Sequence, residues 1–234
     1  MSKIEAKVLY IKVSTVEKLQ KLSSNQEFDS AIKKLPIENA FVNISGLDGD
    51  YQADTIHHGG LNKALFFMSS KSYDRLNTLS NNNFSYDQAA FYGENIVLDT
   101  LNEEDICIGD IFTLGDAIVE ISQPRQPCWK LSANTKTKSM TNIIYTSGLT
   151  GWYARVLQEG KISKNDNLIL QSRSYPSLTI TNLNKIIIDP SLDIKLTQEA
   201  LSCPKLGHQF KTSLDGRSKL ENAKNVPFLY HKEL

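Results

Sequence analysis

The stretch Ile106-Cys107-Ile108-Gly109-Asp110-Ile111-Phe112-Thr113-Leu114-Gly115-Asp116-Ala117-Ile118-Val119-Glu120-Ile121-Ser122 decides how the fold is read. Two apolar-rich runs, Ile106 to Leu114 and Ala117 to Ser122, flank Gly115-Asp116, a two-residue turn of hairpin type. Ile111, Ile118, Val119 and Ile121 are β-branched and fit a pleated surface. Working outward, Lys7 to Val13, Ala40 to Ile44, Ala64 to Met68, Ile96 to Leu98 and Asn167 to Gln171 are further runs of strand length. Ser70 to Leu79 carries Tyr73, Leu76 and Leu79 at helical spacing. Residues 140–159 also read as helix, interrupted at Gly148 and Gly151, with Trp152, Val156 and Leu157 on an apolar face. Residues 15–35 are polar with no clean period. Many short strands with few helices between them predict a β-rich barrel and not a doubly wound sheet.

Strand signals stop near Leu178. Leu178 to Ile188, Ile194 to Leu201 and the charged stretch from Leu214 predict short helices, separated by Asp189-Pro190 and Cys203-Pro204. The expected fold class is α+β. A β-barrel-like domain would occupy residues 1–175 and a small helical unit residues 176–234, joined at the linker-like Arg173-Ser174-Tyr175-Pro176.

The 234 residues carry 26 Lys+Arg against 26 Asp+Glu, which removes the basic footprint of a nucleic-acid binder but leaves room for a local anion pocket. The three cysteines, Cys107, Cys128 and Cys203, form neither a secreted disulfide framework nor a CxxC zinc pair. The N-terminus lacks a signal-peptide core, and no apolar run reaches the roughly 18–20 residues of a membrane span. The terminal His231-Lys232-Glu233-Leu234 resembles a retention tail, which has no meaning without a signal peptide. A cytoplasmic location is expected.

The chemistry concentrates on Cys128, in Ser122-Gln123-Pro124-Arg125-Gln126-Pro127-Cys128-Trp129-Lys130. Pro124 and Pro127 stiffen the loop and fix where the thiol points. Arg125 and Lys130 supply positive charge that favours a thiolate, the form that attacks or binds metal. A buried free cysteine is the commoner fate of a lone Cys, and Cys107 and Cys203 read that way. His57-His58-Gly59-Gly60 could bring backbone N–H groups to an anion, bind a metal, or simply turn the chain. Gly93-Glu94-Asn95 offers donors and acceptors for a heterocycle edge, or a strand-entry turn. Lys33-Lys34 reads as a solvated face, Asp54 as a turn residue, and Trp129 and Trp152 as core or pocket wall.

Four elements in order are Gly46-Leu47-Asp48-Gly49-Asp50-Tyr51-Gln52-Ala53-Asp54, His58-Gly59-Gly60, Gly93-Glu94-Asn95, and the cysteine motif from Ser122 to Leu131. Together they resemble the MOSC family (molybdenum cofactor sulfurase C-terminal domain), in its stand-alone, bacterial YiiM-type branch. The resemblance covers roughly residues 5–173. More loosely, the tail is similar to a three-helix appendage of such proteins. The resemblance implies a MOSC β-barrel with a pocket for a molybdopterin-type molybdenum cofactor, in which Cys128 is the protein ligand to molybdenum. Arg125, Lys130, His58 and the Gly59-Gly60 backbone are then candidates for the cofactor's phosphate, and Glu94 and Asn95 for the pterin edge.

The implied activity is two-electron reduction of N-hydroxylated bases or similar compounds, a detoxification, with His58 as a candidate proton donor. The chain has no cysteine cluster for an iron–sulfur centre and no GxGxxG, so a separate flavin or iron–sulfur reductase would supply the electrons. A homodimer is compatible with the sequence. The alternative is a carrier or binding protein in which Cys128 holds a persulfide or the pocket holds cofactor without turnover. A pyridoxal phosphate pocket is a third reading, disfavoured because Lys130 is poorly placed for a Schiff base.

Overall fold

A computed structural model describes residues 4–14, 17–24, 26–53 and 59–225. β1 (Glu5–Val13), β2 (Glu17–Gln20), β3 (Glu27–Ser30), β4 (Leu35–Ile37), β5 (Asn39–Asn43) and β6 (Gly46–Leu47) come first. A 3-10 turn (Leu61–Lys63) leads into β7 (Leu65–Ser69), α1 (Ser70–Ser80) and β8 (Ile96–Leu98). The hairpin strands β9 (Ile111–Leu114) and β10 (Ala117–Pro124) precede α2 (Lys130–Thr135) and α3 (Met140–Ser147). β11 (Trp152–Gln158), β12 (Gly160–Ser163) and β13 (Asn167–Ser172) complete the strands, and α4 (Ile180–Ile188), α5 (Ile194–Ser202) and α6 (His208–Ser218) follow.

Seven strands close a ring in the order β13-β9-β10-β11-β7-β8-β1, and β13 pairs back onto β1. β4 is added to the free length of β1. Every pairing in the ring is antiparallel except β7–β8. Closure leaves the seven strands few open edges. β5, β6 and β12 form a smaller sheet, and β2 and β3 a two-stranded one.

β7 shows why the barrel has two apolar sides. All five of its residues are buried. By the period of two, Leu65 and Phe67 belong to the main core, while Phe66 and Met68 face a second cluster with Tyr73 of α1, Leu131 of α2 and Ile144 of α3. The C-terminal helices belong to the main core: Leu183, Ile187, Phe210 and Leu214 join the same cluster as Ile121 and Trp152. The backbone knits them in further, through Ile108 N to Leu178 O (2.9 Å) and Ile180 N to Ile106 O (2.9 Å). Arg173 clamps the connection by donating to both carboxylate oxygens of Asp110 (2.9 and 2.6 Å).

Two expectations are corrected. The first hairpin strand begins at Ile111, because positive φ at Gly109 and the Cys107 N to Asp110 Oδ2 bond (2.9 Å) turn residues 106–110, leaving Cys107 in an isolated bridge to Thr179. Residues 152–158 are strand, not helix: α3 stops at Gly148 (φ 72°), and Trp152 to Gln158 lies between β10 and β7. A strand buried between neighbours has a near-continuous apolar run, which periodicity does not separate from a buried helix. The polar stretch 15–35 includes the β2–β3 hairpin, whose apolar content is too low to signal strands. Among the described residues, no helix is long and apolar enough to cross a membrane.

Candidate active site

β10 delivers the cysteine loop. Its last residue, Pro124, still pairs with Trp152 of β11, and Arg125 N then donates to Gly151 O (3.2 Å). Gly151 has φ 65°, and a Cβ there would lie 2.4 Å from Phe67 O, so the loop crosses β7 where only glycine fits. Beyond it, Leu131 N (3.0 Å) and Thr141 Oγ1 (2.9 Å) both donate to Cys128 O, which fixes the cysteine backbone. Cys128 is 5% exposed and lies on the wall of a cleft of about 660 Å³, its open mouth included.

The cleft has aromatic walls, Phe66, Tyr92 and Tyr153, and four cations, Lys34, Lys63, Arg125 and Lys130. Among the described lining residues, Asp50 is the sole carboxylate. That balance favours an anionic ligand, because low-dielectric walls concentrate the field. Arg125 is 5% exposed, stands 5.7 Å over the Phe66 ring, and has no hydrogen-bond partner for Nε or Nη1 among the described residues. Buried donors left unsatisfied cost about 1–3 kcal/mol each, more on a charged group, so Arg125 is built to meet an acceptor that arrives with a ligand.

Asp50 and its partners floor the cleft. Asp50 Oδ1 accepts from Ser14 N (2.9 Å) and Ser14 Oγ (3.1 Å), and Oδ2 from Lys34 Nζ (2.5 Å) and Asn95 Nδ2 (2.8 Å). Asn95 lines the cleft, but its amide also donates to Lys12 O (3.2 Å) and accepts from Phe66 N (3.2 Å). Its reach toward a heterocycle is therefore reduced to the remaining oxygen lone pair. Glu94 is not on the cleft wall as expected. It is fully buried beneath it, paired with Lys12 (2.6 Å) and accepting from Tyr73 Oη (2.6 Å). Burial first, and the Glu94 charge second, push the Tyr73 phenol far up, so it stays a donor.

Of the histidine–glycine motif, His58 lies outside the described residues, as does Asp54. Gly59 and Gly60 are not among the lining residues; that segment reaches the cleft through Lys63, which donates to Gln209 of α6 and lies 5.6 Å over Tyr153. Lys130 lines the cleft and stands 5.8 Å over Phe28, whose ring packs edge-on against Trp129 at 4.6 Å. Lys34 corrects the reading of Lys33-Lys34 as a solvated face: Lys33 is exposed, but Lys34 is turned inward. No periodicity marks which lysine of the pair turns in. Lys63, Tyr92 and Tyr153 were also missed, because lone residues in ordinary strands and turns carry no spacing signal.

The other cysteines are core. Burial, then Asp110, push the Cys107 thiol up to about 11, and Cys203 is 2% exposed in the main cluster. Among the described residues, no group of three or more His, Cys, Asp or Glu could hold a bare metal ion. A soft cysteine sulfur and a guanidinium with two unsatisfied nitrogens on the same cleft fit a metal carried on a phosphorylated, sulfur-bearing cofactor.

The class defined here is a seven-stranded barrel with a cysteine on the wall of a cation-lined cleft. The MOSC domain model matches residues 54–169. The uncharacterized protein YflK of Bacillus subtilis is 34% identical over 189 residues, which span 80% of this chain and 84% of YflK. A protein named reductase from Gibberella moniliformis is 31% identical over 80% of this chain, but that match spans 34% of the fungal protein. The crystal structure of YiiM from Geobacillus stearothermophilus superposes with a TM-score of 0.73 at 26% identity, over 90% of this chain and 98% of that one. The chain belongs to the MOSC domain family, with the YiiM-type fold. The family is associated with molybdenum cofactor binding and includes a reductase.

Proposed function

We propose that the protein is a molybdenum-cofactor-dependent reductase of N-hydroxylated compounds, with Cys128 as the protein ligand to the metal. The observation that carries this is the placement on one cleft of the Cys128 thiol and the Arg125 guanidinium, whose Nε and Nη1 have no hydrogen-bond partner among the described residues. The fungal relative named reductase favours redox chemistry over carriage alone. When bound, the cofactor supplies a two-electron centre.

The chain's own residues do the rest. Cys128, with its backbone held by Thr141 and Leu131, presents one soft donor. Arg125 takes the phosphate, with Lys63 and Lys130 on the same wall. Phe66, Tyr92 and Tyr153 exclude water and offer faces to a planar ligand. The overall conversion takes an N–OH group, two electrons and two protons to N–H and water, with a separate flavin or iron–sulfur protein as donor.

The test is to purify the protein from a host that makes molybdenum cofactor, measure metal and pterin per chain, and assay reduction of an N-hydroxylated base with an artificial donor. Near-stoichiometric metal with turnover, both lost in Cys128→Ala, is the expected result. Cofactor without turnover would instead establish a carrier, and absence of both would overturn the reading.

A further inference from the structure

Reduction of N–OH consumes two protons, and the cleft must hold a group able to give one and recover it. We propose that Lys34, anchored by Asp50 on the wall of the Cys128 cleft, protonates the departing oxygen of the bound N-hydroxy compound. This rests on the reductase reading above.

Lys34 differs from the other cleft cations. An arginine such as Arg125 does not release a proton near neutrality. Lys63 donates to Gln209, and Lys130 lies over Phe28. Lys34 Nζ donates one hydrogen to Asp50, and its other two meet no protein acceptor among the described residues. Asp50 is prepared for the loss of that partner's charge: Ser14 N, Ser14 Oγ and Asn95 Nδ2 still hold the carboxylate once the ammonium becomes an amine.

Desolvation lowers Lys34 below the usual lysine range, against the opposing pull of Asp50 and, more weakly, Glu94. Glu94 is itself neutralised by Lys12. Arg125, Lys63, Lys130, the Cys128 thiol and the phenols of Tyr51, Tyr92 and Tyr153 complete the titratable or charged groups on the described walls. Lys33 beside it is half exposed and 3.8 Å from Glu17, so the inward turn belongs to Lys34 alone.

The step balances. The N–O bond breaks with its electron pair on oxygen, which takes the Lys34 proton and leaves as water. The nitrogen receives two electrons that originate in the external flavin or iron–sulfur donor, and takes its own proton from solvent. Lys34 regains a proton from water at the cleft mouth.

The test uses cofactor-loaded Lys34→Arg and Lys34→Met. Arginine keeps the charge and the Asp50 pair but cannot release the proton. Expected are wild-type metal and pterin content, a KM within about twofold, and a kcat lower by about 100-fold or more. Small primary amines should partly restore the cavity variant Lys34→Ala. Independently of turnover, nitrogen NMR of the lysine ammonium groups should show Lys34 titrating below the other lysines, and lower still in Asp50→Asn. Wild-type kcat in Lys34→Arg, or loss of bound cofactor in that variant, would overturn the proposal alone. No turnover in the loaded wild type would overturn the reductase reading with it.

Discussion

At the level of single side chains, the three cysteines should separate cleanly. Iodoacetamide at pH 8 reaches Cys128 through the cleft, whereas Cys107, held protonated up to about 11, and Cys203 are sealed in the core. Peptide mass spectrometry of the native protein should find Cys128 carrying most of the label. Arg125→Gln removes a charge with unsatisfied donors. It should weaken inorganic pyrophosphate binding to the cofactor-free protein by about 10- to 100-fold, while leaving the melting temperature unchanged or slightly raised. Calorimetric titration decides it. Cys128 and Arg125 stood out in the sequence because Pro124 and Pro127 bracket the arginine and lead directly into the cysteine. Lys34 was not, since its role depends on a floor assembled from Ser14, Asp50 and Asn95, three separate segments.

At the level of elements, the buried Lys12–Glu94 pair joins β1 to the turn before β8, and Tyr73 adds α1. Lys12→Met leaves Glu94 charged and buried without its cation, which should cost about 3–5 kcal/mol in urea unfolding. Glu103 gives a pH dependence. Burial raises its carboxyl above the ordinary 4.5, against hydrogen bonds from Ser72 Oγ and Gly151 N. A carboxyl raised in the fold contributes stability that is complete below its unfolded value and is lost as pH rises through the folded one. Glu103→Gln should therefore flatten the decline in urea midpoint from the mid-4 range upward, and a wild-type-like slope would contradict this. Glycine and β-branched signals made the β9–β10 hairpin readable. The strand β11 was not, because its partners β10 and β7, absent from any local window, are what keep it extended.

At the level of the whole molecule, the C-terminal segment places Leu178 and the helical residues Ile180, Leu183, Ile187, Phe210 and Leu214 in the barrel's own core. At about 1.5–3 kcal/mol for each buried side chain, their removal exceeds much of the 5–15 kcal/mol that holds a typical protein folded. A chain ending at residue 175 should lose its cooperative melting transition, which differential scanning calorimetry would show. The helices themselves were legible from composition. Their partnership with the barrel was not, because it depends on contacts remote in sequence.

The pairing of Ala6 with Leu168 that seals the ring also dictates how the molecule comes into being. As the chain leaves the ribosome, the first strand has to wait for almost the entire barrel to be translated before its last neighbour exists. Until then its exposed side is available to other nascent chains. Such late, long-range closure slows folding and lengthens the window in which chaperones are needed.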